Sequence, residues 1–482
     1  MASPGQRQMT LVAFLQAQNC SNYPASWRHA ATALDFLSAE YYQRIARILE
    51  AGRFDLAFFD DRLAMPDRYG DDFVESVRHG IRVVKMDLVP LMTAMGLATR
   101  HLGVGGTYST TYYEPFHVAR VFATLDHMLG GRVGWNVVTS LNDSEAANFG
   151  RDTHPEHDTR YDRADEFITA VLGHWDSWDD DAIVFDRGRG VFADPAKVHR
   201  LGHSGKWFRT RGPFTVPRTP QGRPVIIQAG QSGRGRRFAA RWGELIFVIF
   251  PDREDARKGY REIKDDVARA GRDPRSVKIT PAVYCIVGET QTVAEDKAAY
   301  IERLAHPLDA LILLSEVLNF DFARRDLDEP FSGEELASIS GLQALRDRVV
   351  RASGKANPTT RDFIEHSGRG TLRELPRFVG APPTVADRLE EWFATEACDG
   401  FVLAATHVPG AYEDFVHLVV PELQRRGLFR REYAGPTLRE NLGLPRARRG
   451  DWLGRTGRLA RPLLEGEEDG RPPAHGGQPQ AL

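Results

Sequence analysis

Two short stretches of this chain hold residue types whose spacing could do chemistry. The first is Pro224–Gly243, PVIIQAGQSGRGRRFAARWG, in which an apolar run meets the turn Ala229, Gly230, Ser232, Gly233, Gly235 and then Arg234, Arg236 and Arg237. Glycines let backbone N–H groups approach an anion closely, a following helix N-terminus adds a favourable dipole, and a serine adds a hydroxyl donor. The stretch predicts a phosphate cradle. The glycine order is not GxGxxG, no GxxxxGK[ST] occurs, and Arg234 stands where a GxSxG nucleophile elbow needs glycine. A dinucleotide site, a P-loop and a serine hydrolase are therefore disfavoured, and a mononucleotide such as FMN remains.

The second stretch is His154–Phe167, HPEHDTRYDRADEF. His154 and His157 would need further ligands to hold a metal, and neither HExxH nor an HxH ending the first strand is present. No metal site is expected. On a helix, His157 and Tyr161 share a face and offer two hydrogen-bonding tips to a ligand. Polar residues also follow several apolar runs: Asp60 and Asp61 end FDLAFF, Thr107 and Ser109 follow HLGVGG, and Asn136 and Thr139 lie in RVGWNVVTS. Buried polar groups at successive strand ends need partners, and a shared ligand supplies them. Phe14, Phe59, Phe247 and Phe250 are candidate pocket walls.

The elements that must position these residues follow from periodicity. Apolar, β-branched runs at Met9–Leu15, Phe54–Phe59, His101–Thr107, Arg132–Thr139, Val225–Ala229, Leu245–Phe250, Ile279–Val287 and Gly400–Ala404 predict strands. Helix-period segments fall between most of them, at Ser38–Glu50, Pro115–Met128, Tyr161–Trp175, Arg234–Trp242, Asp255–Ala270, Thr292–Leu304 and Thr384–Thr395. Alternating β and α with continuously apolar strands means a buried parallel sheet, and about eight such units predict an α/β fold, a (β/α)8 TIM barrel. Non-periodic stretches near 140–160, 176–223 and 306–383 read as insertions at the C-terminal face, within one barrel domain over residues 1–445 and a flexible tail over 446–482.

Composition narrows the class. The 482 residues carry 63 Lys plus Arg against 66 Asp plus Glu, and 42% are apolar. Near-neutral charge disfavours a nucleic-acid or polybasic membrane binder. Cys20, Cys285 and Cys398 make no CxxC pair, and no apolar run is long enough to span a bilayer, so a cytoplasmic protein is expected.

With these residues in view, the chain resembles the bacterial-luciferase superfamily, and within it the two-component FMNH2-dependent monooxygenases of the nitrilotriacetate and dibenzothiophene-sulfone type. The resemblance runs from Arg7 to Leu444. Its blocks are SWRH at Ser26–His29, YGDDF at Tyr69, the run from Tyr112 to Gly150, HDTRYDRADEF from His157, FADPAKVH from Phe192, VIIQAGQSGRGRRFA from Val225 and TLRENLGL ending at Leu444.

The resemblance implies FMN, taken up as FMNH2, at the C-terminal mouth of the barrel, with O2 as co-substrate. It implies an NAD(P)H:flavin reductase as supplier and a homodimer or homotetramer. It places Asp61, Thr107 and Asn136 around the flavin ring, with Thr107 and Asn136 catalytic. His157 and Tyr161 would bind the ribityl–phosphate part, and Gly230 and Ser232 the phosphate. The expected substrate is a small aromatic compound losing a C–S, C–N or C–halogen bond. A deazaflavin (F420) oxidoreductase and a metal-dependent barrel hydrolase are the alternatives. Asn22, Pro24 and Asp60 depart from the sulfone-type pattern, which puts the sulfone itself in question.

Overall fold

The computed structural model describes residues 7–18, 23–230 and 233–456. Eight parallel strands close a barrel: β1 (Thr10–Gln16), β2 (Leu56–Asp60), β3 (Gly103–Ser109), β4 (Val133–Val138), β5 (Val225–Gln228), β6 (Leu245–Val248), β7 (Lys278–Val287) and β8 (Gly400–Ala404). Neighbours pair in chain order all the way round, β7 with both β6 and β8, and β8 closes the barrel on β1. The expected (β/α)8 barrel is thus present. A further short strand, Arg377–Gly380, pairs with the outer end of β7 from Tyr284 to Val287, and the apolar count did not anticipate it.

Alternation along each strand separates two cores. Val12, Leu56, Phe58, Val225, Ile227, Leu245, Phe247 and Val402 fill the interior, and Leu438, Leu442 and Leu444 join them from the short helix Leu438–Asn441 and the turn after it. On β3 and β4 the interior positions below Thr107 and Asn136 are glycines. A Cβ at Gly134 would lie 2.7 Å from Ile227 Cδ1 and one at Gly103 2.7 Å from Leu438 Cδ1, so the large side chains opposite leave no room. The other faces, including Leu11, Phe59, Val104 and Trp135, are buried with residues of the surrounding helices.

Charges close the N-terminal end. Buried Glu244 pairs with Arg439 at 2.8 Å, and Asp55 accepts from the Leu11 N–H and from Arg430 at 2.5 Å. Residues 446–456, expected to belong to a flexible tail, are instead packed on the barrel: Arg446 pairs with Asp180 at 2.8 Å and buried Trp452 donates to Asp176 at 2.7 Å. These contacts bury an indole and pair an arginine, which holds the segment through Thr456 to the barrel. Residues 457–482 lie outside the described residues.

The insertions divide between the two ends. Residues 176–223, expected at the C-terminal face, instead lead from the end of the helix His157–Trp175 into the start of β5, with Gln221 donating to the Val133 carbonyl at the start of β4, and form two small hairpins on the helix side, Ile183–Asp186 with Val191–Ala193 and His203–Ser204 with Arg209–Thr210. The 306–383 stretch carries the helices Pro307–Leu318, Gly333–Ser338, Gln343–Ser353 and Thr360–Ser367. They enclose their own core of Leu311, Leu314, Val317, Phe322, Phe331 and Phe363. The SWRH block ties this insertion down: Arg28 makes a two-toothed bond to buried Asp309 at 2.6 and 2.9 Å, and Trp27 donates to the His79 carbonyl at 2.9 Å. His29 stacks on His407 with ring centroids 3.8 Å apart.

Candidate active site

The C-terminal strand ends form the mouth, and register decides which side chains meet there. Thr107 lies opposite Asn136, and Gln16 opposite Asp60. Asn136 Nδ2 donates to Thr107 Oγ1 at 2.9 Å, and that hydroxyl donates to the Phe59 carbonyl at 2.8 Å. Both side chains are buried, and Asn136 Oδ1 has no hydrogen-bond partner. Leaving a buried acceptor unpaired costs about 1–3 kcal/mol, so the site is complete only with a donor opposite Oδ1. Beneath this layer Phe58 packs edge-on against Phe247 at 4.6 Å and near Phe14 at 5.8 Å.

Two of the expected wall residues are elsewhere. Phe59 alternates with Phe58, is fully buried and packs near Tyr42 at 6.0 Å, on the helix side of β2. Phe250 follows β6 and presses on the helix Arg253–Arg269, where a Cβ on Gly259 would meet its ring at 2.2 Å. A one-residue step along a strand turns a side chain to the opposite face. Phe58 takes the wall place expected of Phe59, and strict alternation from Leu56 is the signal that identifies it.

Hydroxyls and one carboxylate stitch the rim on the β3–β4 side. Ser140 donates to Ser109 at 2.9 Å, Thr111 donates to the Thr139 carbonyl at 2.8 Å, and Arg160 bonds the carbonyls of Thr139 and Ser140. Thr139 therefore enters the rim through its backbone, its carbonyl already engaged. Buried Glu145 accepts from the N–H groups of Leu63, Leu141 and Asn142 at 3.2, 3.0 and 3.2 Å, joining the loops after β2 and β4.

The expected phosphate corner is assembled from two helix starts. His157 opens the helix His157–Trp175, and its ring lies 5.1 Å from that of Tyr161. Arg234, at the start of the helix Gly233–Trp242, lies 5.7 Å over the Tyr161 ring. Gly230 is buried, and a Cβ there would fall 2.6 Å from Gln228 Oε1 and 2.9 Å from the Gly235 carbonyl, so only glycine fits this turn. Ala229 is exposed beside it, and Ser232 lies outside the described residues.

The arginines divide. Arg234 is neutralised by Asp162 and Asp165 at 2.9 and 2.6 Å, and Arg236 by Glu262 and Asp266 at 2.6 Å each. Arg237 has no carboxylate partner among the described residues, and its Nη1 lies 3.9 Å from where a Gly233 Cβ would be. His154 turns elsewhere, to the Tyr112 hydroxyl at 2.6 Å, while His157 pairs with Asp158 at 2.7 Å. Among the described residues no three His, Cys, Asp or Glu side chains gather as metal ligands.

The β1–β2 side carries charge. Gln16 Nε2 donates to Asp60 at 3.3 Å, and Lys85 donates to Gln16 Oε1 at 3.3 Å. Asp60 shares the inward register of Phe58, so the acid in the polar layer is Asp60, with Asp61 one step round. Asp61 accepts from the Arg62 N–H at 2.8 Å, and its carboxyl is pushed up to about 7, first by burial and then by Asp60 and Asp87, against the pull of Lys85. Gln16 and Lys85 had no distinguishing motif in the sequence.

This arrangement suits a flavin mononucleotide. The unpartnered Asn136 acceptor faces a neutral, hydrogen-bonded layer, and a glycine-only turn beside a helix start offers backbone donors and Arg237 to a phosphate. Comparison with known proteins agrees. The luciferase-like monooxygenase description matches residues 14–399. Dibenzothiophene-sulfone monooxygenase of Rhodococcus erythropolis is 47% identical over 454 residues, covering 91% of this chain and 97% of that one. Nitrilotriacetate monooxygenase component A of Aminobacter aminovorans is 39% identical, covering 88% and 93%. A crystal structure of a riboflavin lyase with modified FMN and riboflavin superposes with a TM-score of 0.82 at 32% identity, covering 91% and 96%. With its closed barrel and this degree of likeness over nearly its whole length, the chain belongs to the luciferase-like monooxygenases, a family of flavin-dependent enzymes.

Proposed function

We propose that the chain is the oxygenase of a two-component system, using O2 and FMNH2 from a separate NAD(P)H:flavin reductase to oxygenate a small aromatic compound with cleavage of a C–S, C–N or C–halogen bond. The observation that carries this reading is the Thr107–Asn136 pair, buried at the mouth with Asn136 Oδ1 lacking a donor. Bound reduced flavin supplies the electrons that activate O2. Asn136 and Thr107 would hold the flavin's reacting edge, with Asn136 Oδ1 as the free acceptor. Gly230, Ser232, Gly233 and Arg237 would receive the phosphate, and His157 and Tyr161 would hold the ribityl part. Phe14, Phe58 and Phe247 give the layer beneath an apolar floor, and the insertion held by Arg28–Asp309 excludes water, which protects reactive oxygen species from hydrolysis and leakage. The working unit is a homodimer or homotetramer.

The test is anaerobic titration of the purified protein with FMNH2, then mixing with oxygen in the presence of sulfones, amines and halogenated aromatics. Stoichiometric binding and one substrate consumed without matching release of hydrogen peroxide support the reading. Absence of saturable FMNH2 binding overturns it.

A further inference from the structure

Asp61 follows the last residue of β2, Asp60, at the mouth, yet among the described residues no basic group lies within ion-pairing distance of its carboxyl. The carboxyl accepts a hydrogen bond from the Arg62 N–H at 2.8 Å. The Arg62 guanidinium, next along the chain, is directed instead toward Glu316 of the insertion helix Pro307–Leu318, with Nε 3.8 Å from Oε1. Arg82 approaches the same carboxylate at 3.9 Å. Glu316 is buried, and its Oε2 has no hydrogen-bond partner, so this carboxylate is compensated by the charge of the two guanidinium groups.

We propose that Asp61 serves the site as a proton-bearing, uncharged carboxyl, presenting an O–H donor to the bound flavin or substrate, and that Glu316 is the positioning residue that keeps it so by holding Arg62 away. The proposal deepens the flavin reading and rests on it for the identity of what Asp61 faces.

The surroundings agree. Asp60 on β2 and Asp87 ahead of the helix Leu88–Leu97 oppose a second negative charge, and Lys85 is the cation that counters them. From β3 and the loop after it, Tyr108 and Tyr113 face the same space as neutral phenols, their ionisation pushed up by burial and by Asp87 and Asp61. Behind Arg62 stand Glu316 and Glu145, the largest Coulombic influences on that guanidinium. A carboxyl in this setting titrates at about 7, where it can hold or release a proton near neutrality.

Thermal unfolding of the full chain across about pH 5.5–8.5 reads this without flavin. A carboxyl whose folded value is raised adds stability below its unfolded value and loses it as pH rises through the folded one. Wild type should therefore lose stability through pH about 7 relative to Asp61→Asn, opening a gap of about 2–4 °C. In Glu316→Gln, Arg62 is released toward Asp61 and the step should move down by about one pH unit or more, with Glu316→Asp restoring it. In Arg62→Met the step should stay near its wild-type pH, because the guanidinium was directed elsewhere; a rise of more than about one unit would overturn the proposal. A gap that does not change with pH, or an unmoved step in folded Glu316→Gln, would also overturn it. FMN titration of Asp61→Asn against Asp61→Ala adds the ligand arm: retention in the first and about tenfold weakening in the second support the O–H donor, while equal affinities overturn it. Failure of wild type to bind FMN would fall on the flavin reading and leave the stability step to decide Asp61.

Discussion

The two walls of the mouth are built on opposite principles. On the β3–β4 side Thr107, Ser109, Ser140 and Asn136 form a neutral layer, with one acceptor left over. On the β1–β2 side Gln16, Asp60, Lys85, Asp61 and Arg62 form a charged layer, and its carboxyl Asp61 titrates near neutrality. Neutral groups in a dry setting orient a ligand independently of pH, whereas buried charges respond to protonation and to each other. One wall is therefore suited to hold a cofactor in a fixed pose, and the other to exchange protons with whatever it faces.

That contrast can be broken in several places. The largest effect is expected at the ion pair that fastens the insertion over the charged wall: Arg28→Met strands the buried Asp309 carboxylate. It should cost about 3–5 kcal/mol in denaturant unfolding and raise peroxide release. Next, Thr107→Val removes the hydroxyl that bonds the Phe59 carbonyl and Asn136 Nδ2. A loss of about 2–4 kcal/mol and weaker FMNH2 binding should follow, equal at pH 6 and 8 if this wall is neutral. A pH-dependent loss would erase the distinction between the walls.

Glu145→Gln tests the bridge between them. Replacing one carboxylate oxygen by an amide removes an acceptor from the Leu63, Leu141 and Asn142 N–H groups. The expected cost is about 1–3 kcal/mol, read from unfolding curves. The smallest effect belongs to the floor. Phe58→Leu and Phe59→Leu should each cost about 1–2 kcal/mol, but only Phe58→Leu should alter KM for an aromatic substrate, because Phe59 lies on the helix side. Matching KM changes in both would overturn the assignment of faces.

Most of the fold is legible in the residue pattern. Each barrel strand falls in an apolar run that the sequence marks, because strands buried on both faces have no polar alternation. Arg377–Gly380 escaped, since RFVG is four residues long and gains its strand character from pairing with Tyr284–Val287. The packing of Arg446–Thr456 escaped for a related reason. The stretch Arg446–Thr456 reads as polar and aperiodic, and its order comes from partners far away in sequence, Asp176 and Asp180.

By itself the sequence determined the barrel, the insertions, the glycine-built turn at Gly230 and the candidates Thr107 and Asn136, because these depend on local period, turn chemistry and residue type. Tertiary structure decided which neighbours face the same space. Strand alternation exchanged Phe59 for Phe58 and set Asp60 in the polar layer beside Asp61. Packing neutralised Arg234 and Arg236 with acids from other helices, leaving Arg237 to the turn. The insertion brought Glu316 to Arg62 across some 250 residues, and no local pattern encodes such a contact. Its charge acts through distance and burial, quantities that exist only once the chain has folded.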